Sequence, residues 1–224
     1  MKARHPEFAF LLIFGLIASS GCGKSDEQRA LDAVSKRKKA SMVRLVNMTE
    51  STLDATRNSQ VLATAVGQGT GTNFIGCKPG EQKLSLKMAG KTHDFTLNAL
   101  EGQTHTVLVT GSSASPKFAT VSGEIRVASG PDTGVEMYQV QGESASKMSA
   151  KDIKFVGTVG ATVEGHTALL PTGRAKLMLP GFSKPVEISL EQGRLYSLYL
   201  NGTKMAVVPN SDAKPQKQRA SGAG

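Results

Sequence analysis

The chain has no tryptophan, aromatic residues make up only 5% of it, and its two cysteines, Cys22 and Cys77, are spread over 224 residues. Each shortage excludes something. Without tryptophan, the flat ring platforms on which carbohydrate-binding sandwiches stack sugars are reduced to Tyr138, Tyr196 and Tyr199. Two cysteines cannot build the disulfide framework of a small secreted scaffold. The histidines, His5, His93, His105 and His166, fall in no HExxH pattern. There is no CxxC, no nucleophile elbow and no pair of ligands with metal-site spacing. The GDS and DxxH blocks needed by SGNH-type esterases are missing too. His93 and Asp94 are neighbours, so in a strand they point to opposite faces and cannot relay a proton. The expectation is a non-catalytic protein with no cofactor and no metal.

Long hydrophobic runs are scarce as well. The run near the N-terminus, Phe8 to Ala18, is FAFLLIFGLIA. It is shorter than the roughly 20 residues of a spanning helix. With Lys2 and Arg4 ahead of it, it reads as the core of an export signal. Ser19-Ser20-Gly21-Cys22 follows. This resembles the lipobox of bacterial lipoproteins, with Cys22 as the lipid-bearing residue, although Ser19 stands where that motif usually has an aliphatic residue. An ordinary secretory cleavage near Ala18 or Gly21 is the alternative. A lipid on Cys22 would hold the protein at a membrane, since each buried CH₂ adds about 0.8 kcal/mol. The expected location is the periplasm or cell envelope. Cys77 is then left without a partner and reads as a structural thiol rather than a nucleophile.

Charge leans one way. The formal net charge is +9, and only Lys2, Arg4 and Glu7 contribute to it before Cys22. Such a balance suits an anionic partner, whether an acidic polysaccharide, a lipid headgroup or a nucleic acid. It equally suits a well-solvated surface. Ser25 and Gln28 have capping-box spacing, which predicts a short helix running to Lys39. Its last residues, Lys36, Arg37, Lys38 and Lys39, would end it with positive charge. They are the candidate polyanion contact, with a solvated linker as the alternative. Gly67 to Gly71, GQGTG, lacks the GK[ST] of a phosphate loop and predicts a turn. The residues after Pro209 have no apolar periodicity and predict disorder.

What remains is a chain of short alternating runs separated by glycine-rich turns, which points to an all-β class. Leu177 and Leu179, then Val186, Ile188 and Leu190, then Tyr196, Leu198 and Leu200 alternate with polar residues. Turns at Pro180-Gly181, Gln192-Gly193 and Asn201-Gly202 divide them. The same order occurs earlier: Leu84 and Leu86, then Phe95 and Leu97, then Val107 and Val109. Gly102 and Gly111 precede Gly193 and Gly202 by 91 residues. Leu84 and Leu86 match Leu177 and Leu179, and Phe95 and Leu97 match Ile188 and Leu190. The first copy is then read as having two extra residues at the Gly102 turn. His105 falls where Tyr196 stands and reads as a packing residue in place of an aromatic. Upstream, Val43 to Asn47 pairs loosely with Ile125 to Ser129. A repeat of this length reads as a domain duplication. The small polar stretch Gly111 to Lys117 reads as a linker.

The modules have the form Val-Arg-Leu-Val-Asn (Val43 to Asn47), then Pro-Gly and Lys-Leu-x-Leu (Gly80 to Leu86; Gly173 to Leu179), then Gly to Gly through an alternating strand (Gly102 to Gly111; Gly193 to Gly202). With Ile125 to Ala128, they are similar to the AlgF-like accessory proteins of alginate O-acetylation, and more broadly to small extracellular sandwich domains of bacterial lipoproteins. The resemblance implies two tandem antiparallel β-sandwich domains that assist acetylation of an acidic exopolysaccharide without catalysing it. It implies partnership with periplasmic or membrane acetyltransferases, possible contact with the polysaccharide, and no nucleic acid. The alternative is a structural or carbohydrate-binding envelope lipoprotein unrelated to acetylation. The expected organisation is a signal at 1–21, an anchor and linker at 22–40, sandwiches at 41–112 and 113–209, and a tail at 210–224.

Overall fold

A computed structural model describes residues 40–124, 133–157, 160–164, 166–171, 173–191 and 194–210. Residues 1–39, which include the expected export signal, Cys22, the expected short helix and Lys36 to Lys39, lie outside the described residues, as do Ile125 to Ser129 and the residues after 210. Strands dominate, as the turn-and-alternation pattern requires, and one 3-10 turn, Ala150–Asp152, interrupts them.

The first half runs β1 Ser41–Asn47, β2 Leu53–Arg57, β3 Gln60–Val66, β4 Thr70–Gly71, β5 Ile75–Cys77, β6 Gly80–Met88, β7 Lys91–Ala99, β8 Gln103–Ser112 and β9 Ser115–Glu124. Strands β3-β2-β6-β7 form one sheet. Strands β4-β1-β8-β9 form another, with β5 also on β1. The two sheets face each other. Leu53, Leu84, Leu86, Met88 and Leu97 from the first pack against Val43, Leu45, Val107 and Val109 from the second. The period of two places Lys83 and Lys87 on the opposite, solvent side of β6.

The second half runs β10 Thr133–Gln141, β11 Ser144–Lys147, β12 Lys154–Phe155, β13 Thr162–Glu164, β14 Thr167–Leu170, β15 Gly173–Met178, β16 Val186–Leu190, β17 Leu195–Asn201 and β18 Lys204–Pro209. Here β12-β15-β16 face β13-β14-β10-β17-β18 across Ala175, Leu177, Ile188 and Leu190 on one side and Val135, Met137, Leu198 and Leu200 on the other.

The pairing scheme of the first half recurs. Strand β1 runs parallel to β8 as β10 does to β17, so the sheets are mixed rather than purely antiparallel. The parallel pair is possible because the chain visits the outer sheet between the two strands, supplying the long crossover that parallel pairing needs. The hairpins β6-β7 and β8-β9 match β15-β16 and β17-β18. Gly80 and Gly173 open matching strands with φ of 107° and 106°, a region open to glycine and costly for other residues.

Four expectations are corrected. Gly111 to Lys117 is no linker: Ser112 pairs with Ser115 in a tight hairpin, and all of β9 belongs to the first half. The first sandwich therefore extends past residue 112. Small polar residues serve a hairpin turn as readily as a linker. The strand holding the place of β1 is β10, not Ile125 to Ser129, because Val135 pairs with Tyr196 as Val43 pairs with His105. The two-residue difference lies in the hairpin between β6 and β7, not at Gly102. Leu84 pairs with Phe95, eleven residues on, while Leu177 pairs with Val186, nine residues on. Leu97 thus corresponds to Ile188. Finally, Gly142 to Asp152, whose polar composition reads as a loop, contains a strand, β11, on the edge of β10.

The inner sheets are buried on both faces. A third apolar cluster joins Val46, Met48, Leu108 and Ala119 of the first half to Tyr138, Val140, Tyr199, Ala206 and Val208 of the second. Most of these are corresponding positions: Val46 with Tyr138, Leu108 with Tyr199, Ala119 with Ala206. The order of layers is outer sheet, inner sheet, inner sheet, outer sheet. Gly71 lies at this seam, where an added Cβ would come within 2.8 Å of Val208. If the seam holds the halves, a protease site inserted between residues 124 and 133 will leave them co-eluting after cleavage on size-exclusion chromatography. Separation into two half-sized species would show the seam to be too weak.

Candidate functional site

At the centre of the seam lies Arg44, 1% exposed. Alternation on β1 sends Val43 and Leu45 into the first sandwich and Arg44 to the other face. Its Nε donates to Thr106 Oγ1 at 2.9 Å, Nη2 to the Tyr199 hydroxyl at 2.9 Å and Nη1 to the Pro209 carbonyl at 3.0 Å. The guanidinium carbon sits 4.3 Å from the Phe74 ring centre, within range of cation–π attraction. Two of the three acceptors belong to the second half, so one side chain hydrogen-bonds both. The fork of donors on a planar head makes this possible where an ammonium could not.

The corresponding place on β10 holds Glu136. Tyr138 donates to its Oε2 at 2.9 Å, and Lys147 lies 3.3 Å from its Oε1. Tyr138 stacks on Tyr199 with ring centres 5.2 Å apart. Tyr138, Tyr196 and Tyr199 are all buried. None is available as a sugar platform, which corrects their candidacy.

His105 and Tyr196 do hold the same place. The Leu100 N–H donates to His105 Nε2 at 2.9 Å, and the Glu191 N–H donates to the Tyr196 hydroxyl at 2.9 Å. Each inward ring thus satisfies a backbone donor five residues earlier. Because Nε2 accepts, the ring proton is on Nδ1, which faces Ser122 Oγ at 2.8 Å. Burial pushes the His105 pKa below its ordinary value. Burial likewise pushes the Cys77 thiol up, with the Arg57 guanidinium pulling the other way. Cys77 packs against the first core and is poorly suited to attack. His93 faces the Ser113 carbonyl while Asp94 accepts from Ser85 on the other face. No group of three metal-ligating side chains occurs among the described residues.

The surfaces that remain open are the outer sheet faces, and they differ. On β12, β15 and β16, alternation turns Lys154, Arg174, Lys176, Glu187 and Ser189 outward. Val156, 39% exposed, lies beside Lys176, whose carbonyl accepts from its N–H. Met178 is opposite Lys154. The matching positions of the first outer face are Thr56, Glu81, Lys83, Thr96, Asn98 and Ser85. Three cations and one carboxylate on the second face thus replace one of each on the first. Sequence reasoning missed this basic face because its cations are split between two strands distant in sequence rather than run together. The available signal was the alternation of Arg174 and Lys176 with Ala175 and Leu177.

Neither Cys22 nor Lys36, Arg37, Lys38 and Lys39 can be located relative to these features, since all five lie outside the described residues. Compared with known protein families and with curated proteins, the chain matches none.

Two outcomes test this geometry. Arg44→Ala leaves Thr106, Tyr199 and Pro209 without their donor in a buried seam, a loss of about 3–5 kcal/mol, readable in urea unfolding; a cost under about 1 kcal/mol would show that Arg44 does not hold the halves together. His105 adds a pH dependence. Its folded-state pKa is depressed, so its contribution is fully present above the ordinary value of 6.5 and is lost as pH falls through the folded value. The urea midpoint should fall between pH 7 and pH 5, and His105→Tyr, copying Tyr196, should flatten that decline. An unchanged slope in the variant would assign it to other groups.

Proposed function

We propose that this chain is a non-catalytic accessory protein of the cell envelope that assists O-acetylation of an acidic, alginate-like exopolysaccharide. It works as a scaffold, holding acetyltransferases or polymer beside a membrane to which Cys22 anchors it. The observation that carries the reading is the pair of open outer faces on a stack joined through its buried centre. Such a stack presents two surfaces whose separation is set by packing rather than by a flexible linker. One surface is basic, which suits a polyuronate, and the other is a mixed polar sheet suited to protein contact. The similarity of the modules to AlgF-like proteins adds the acetylation context.

A carbohydrate-binding lipoprotein that stacks sugars on aromatic rings fits less well, because the tyrosines are buried. Deletion of the gene in its own host, followed by measurement of acetyl groups per uronate in the secreted polymer, tests the proposal. Acetylation should fall severalfold, be restored by the wild-type gene, and be restored poorly by Cys22→Ser. Full acetylation in the deletion strain would end the reading and favour a structural envelope role.

A further inference from the structure

The two halves share one pairing scheme, so their outer faces can be compared position by position. Where the first half has Thr56, Glu81 and Ser85, the second has Lys154, Arg174 and Met178. Lys83 and Lys176 are common to both. Packing cannot account for the difference, since all of these side chains point away from the cores. Alternate residues on a strand are about 6.8 Å apart and neighbouring strands about 4.8 Å. Lys154, Lys176 and Arg174 therefore form a continuous basic strip across two strands. Val156 and Met178 lie within it, beside Lys176 and opposite Lys154. The strip alternates cation with apolar surface, and the methylene stems of the lysines extend the apolar part.

The carboxylate on this face, Glu187, is 3.1 Å from Arg174 in an exposed pair. Such an exposed pair is weak and exchanges readily with a competing carboxylate. Among the described residues, neither Lys154 nor Lys176 has an ion pair. We infer that the outer face of the second sandwich, centred on Lys154, Lys176, Val156 and Met178, is a binding surface for a linear polyuronate. Carboxylates spaced regularly along the polymer meet the cations. The apolar faces of the sugar rings lie on Val156, Met178 and the lysine stems. Arg174 takes a carboxylate through its planar fork once Glu187 gives way. The first outer face is balanced in charge at the matching positions, has no apolar residue at the places of Val156 and Met178, carries its exposed Val61 opposite Thr56 on β3 instead, and does not share the role.

The choice of a uronate as the acidic polymer rests on the proposed function; the charge and shape of the face do not. The experiment titrates the full chain with fluorescently labelled oligouronate at about 50 mM salt and follows anisotropy, with neutral dextran as control. Binding to the oligouronate and not to dextran is expected, weakening as salt shortens the ~10 Å screening length of 0.1 M solution. The double variant K154E/K176E replaces two attractions with two repulsions and should weaken binding by at least about tenfold. The variant K83E/K87E on the first face should stay within about twofold of wild type. If charge reversal disturbs the melting transition, K154Q/K176Q carries the same test, with a loss of about threefold expected. Equal loss from both faces, no loss from the second, or binding to RNA or anionic vesicles without binding to oligouronate would each overturn the inference. The two readings fail separately. Full acetylation in the deletion strain with intact oligouronate binding removes the accessory role and leaves this surface standing. Lost acetylation with undiminished binding by K154E/K176E does the reverse.

Discussion

The fold depends on burying the second face of both inner sheets. A single two-sheet sandwich covers only one face of each sheet, and a strand such as β17, with five consecutive buried residues from Tyr196 to Leu200, would leave Tyr199 in water. Packing inner sheet on inner sheet removes that surface. It also imposes a constraint, because every polar group carried into the seam must find a partner there. Arg44 meets the constraint with three hydrogen bonds and a ring. No buried side-chain polar atom among the described residues lacks a partner.

The seam also explains why the halves fit each other rather than themselves. Corresponding positions meet there, but they differ in size and charge. Val46 and Leu108 of the first half face a cluster that holds Tyr138 and Tyr199 of the second. Arg44 occupies the place that Glu136 occupies on the other side. Two copies of the first half would bring two guanidiniums into one apolar layer, and two copies of the second would crowd four tyrosines into it. Both combinations carry a penalty that the observed pairing avoids, which is specificity through disfavoured alternatives.

How far the chain could be read in advance follows from which faces are covered. In the outer strands one side meets water, so alternation is plain: Leu84, Leu86 and Met88 inward with Lys83 and Lys87 outward, or Ile188 and Leu190 inward with Glu187 and Ser189 outward. The correspondence of His105 with Tyr196 was legible too, since both precede an alternating run by the same distance from a glycine turn. The inner strands were not. Arg44, Ser197 and Tyr199 look like a solvent side, because a buried polar residue and an exposed one share the same letter. The clue was apolar company, Val46 and Met48 on the supposed wet face of the first strand. The hairpin at Ser112 to Ser115 was hidden for a different reason, since small polar residues favour both turns and linkers. The register error between Phe95 and Val186 arose because a two-residue slip preserves the alternation of a strand. Nothing in apolar spacing alone could reveal it.

The same logic separates parts of the chain that are bound by packing from parts that are not. Positions inside the two sandwiches answer to volume and hydrogen bonding, and several corresponding pairs keep the same bond: a histidine at 105 and a tyrosine at 196 that each accept from a backbone N–H, a serine at 41 and a threonine at 133 that each donate to a carbonyl just before the paired strand. Outward positions on the outer sheets answer to neither requirement. Differences there, such as threonine against lysine at positions 56 and 154 or glutamate against arginine at 81 and 174, leave the cores untouched. A fold whose two halves share one pairing scheme while one exterior face differs in charge carries its variation where packing does not constrain it. The exterior difference is therefore set by something other than the demands of the cores.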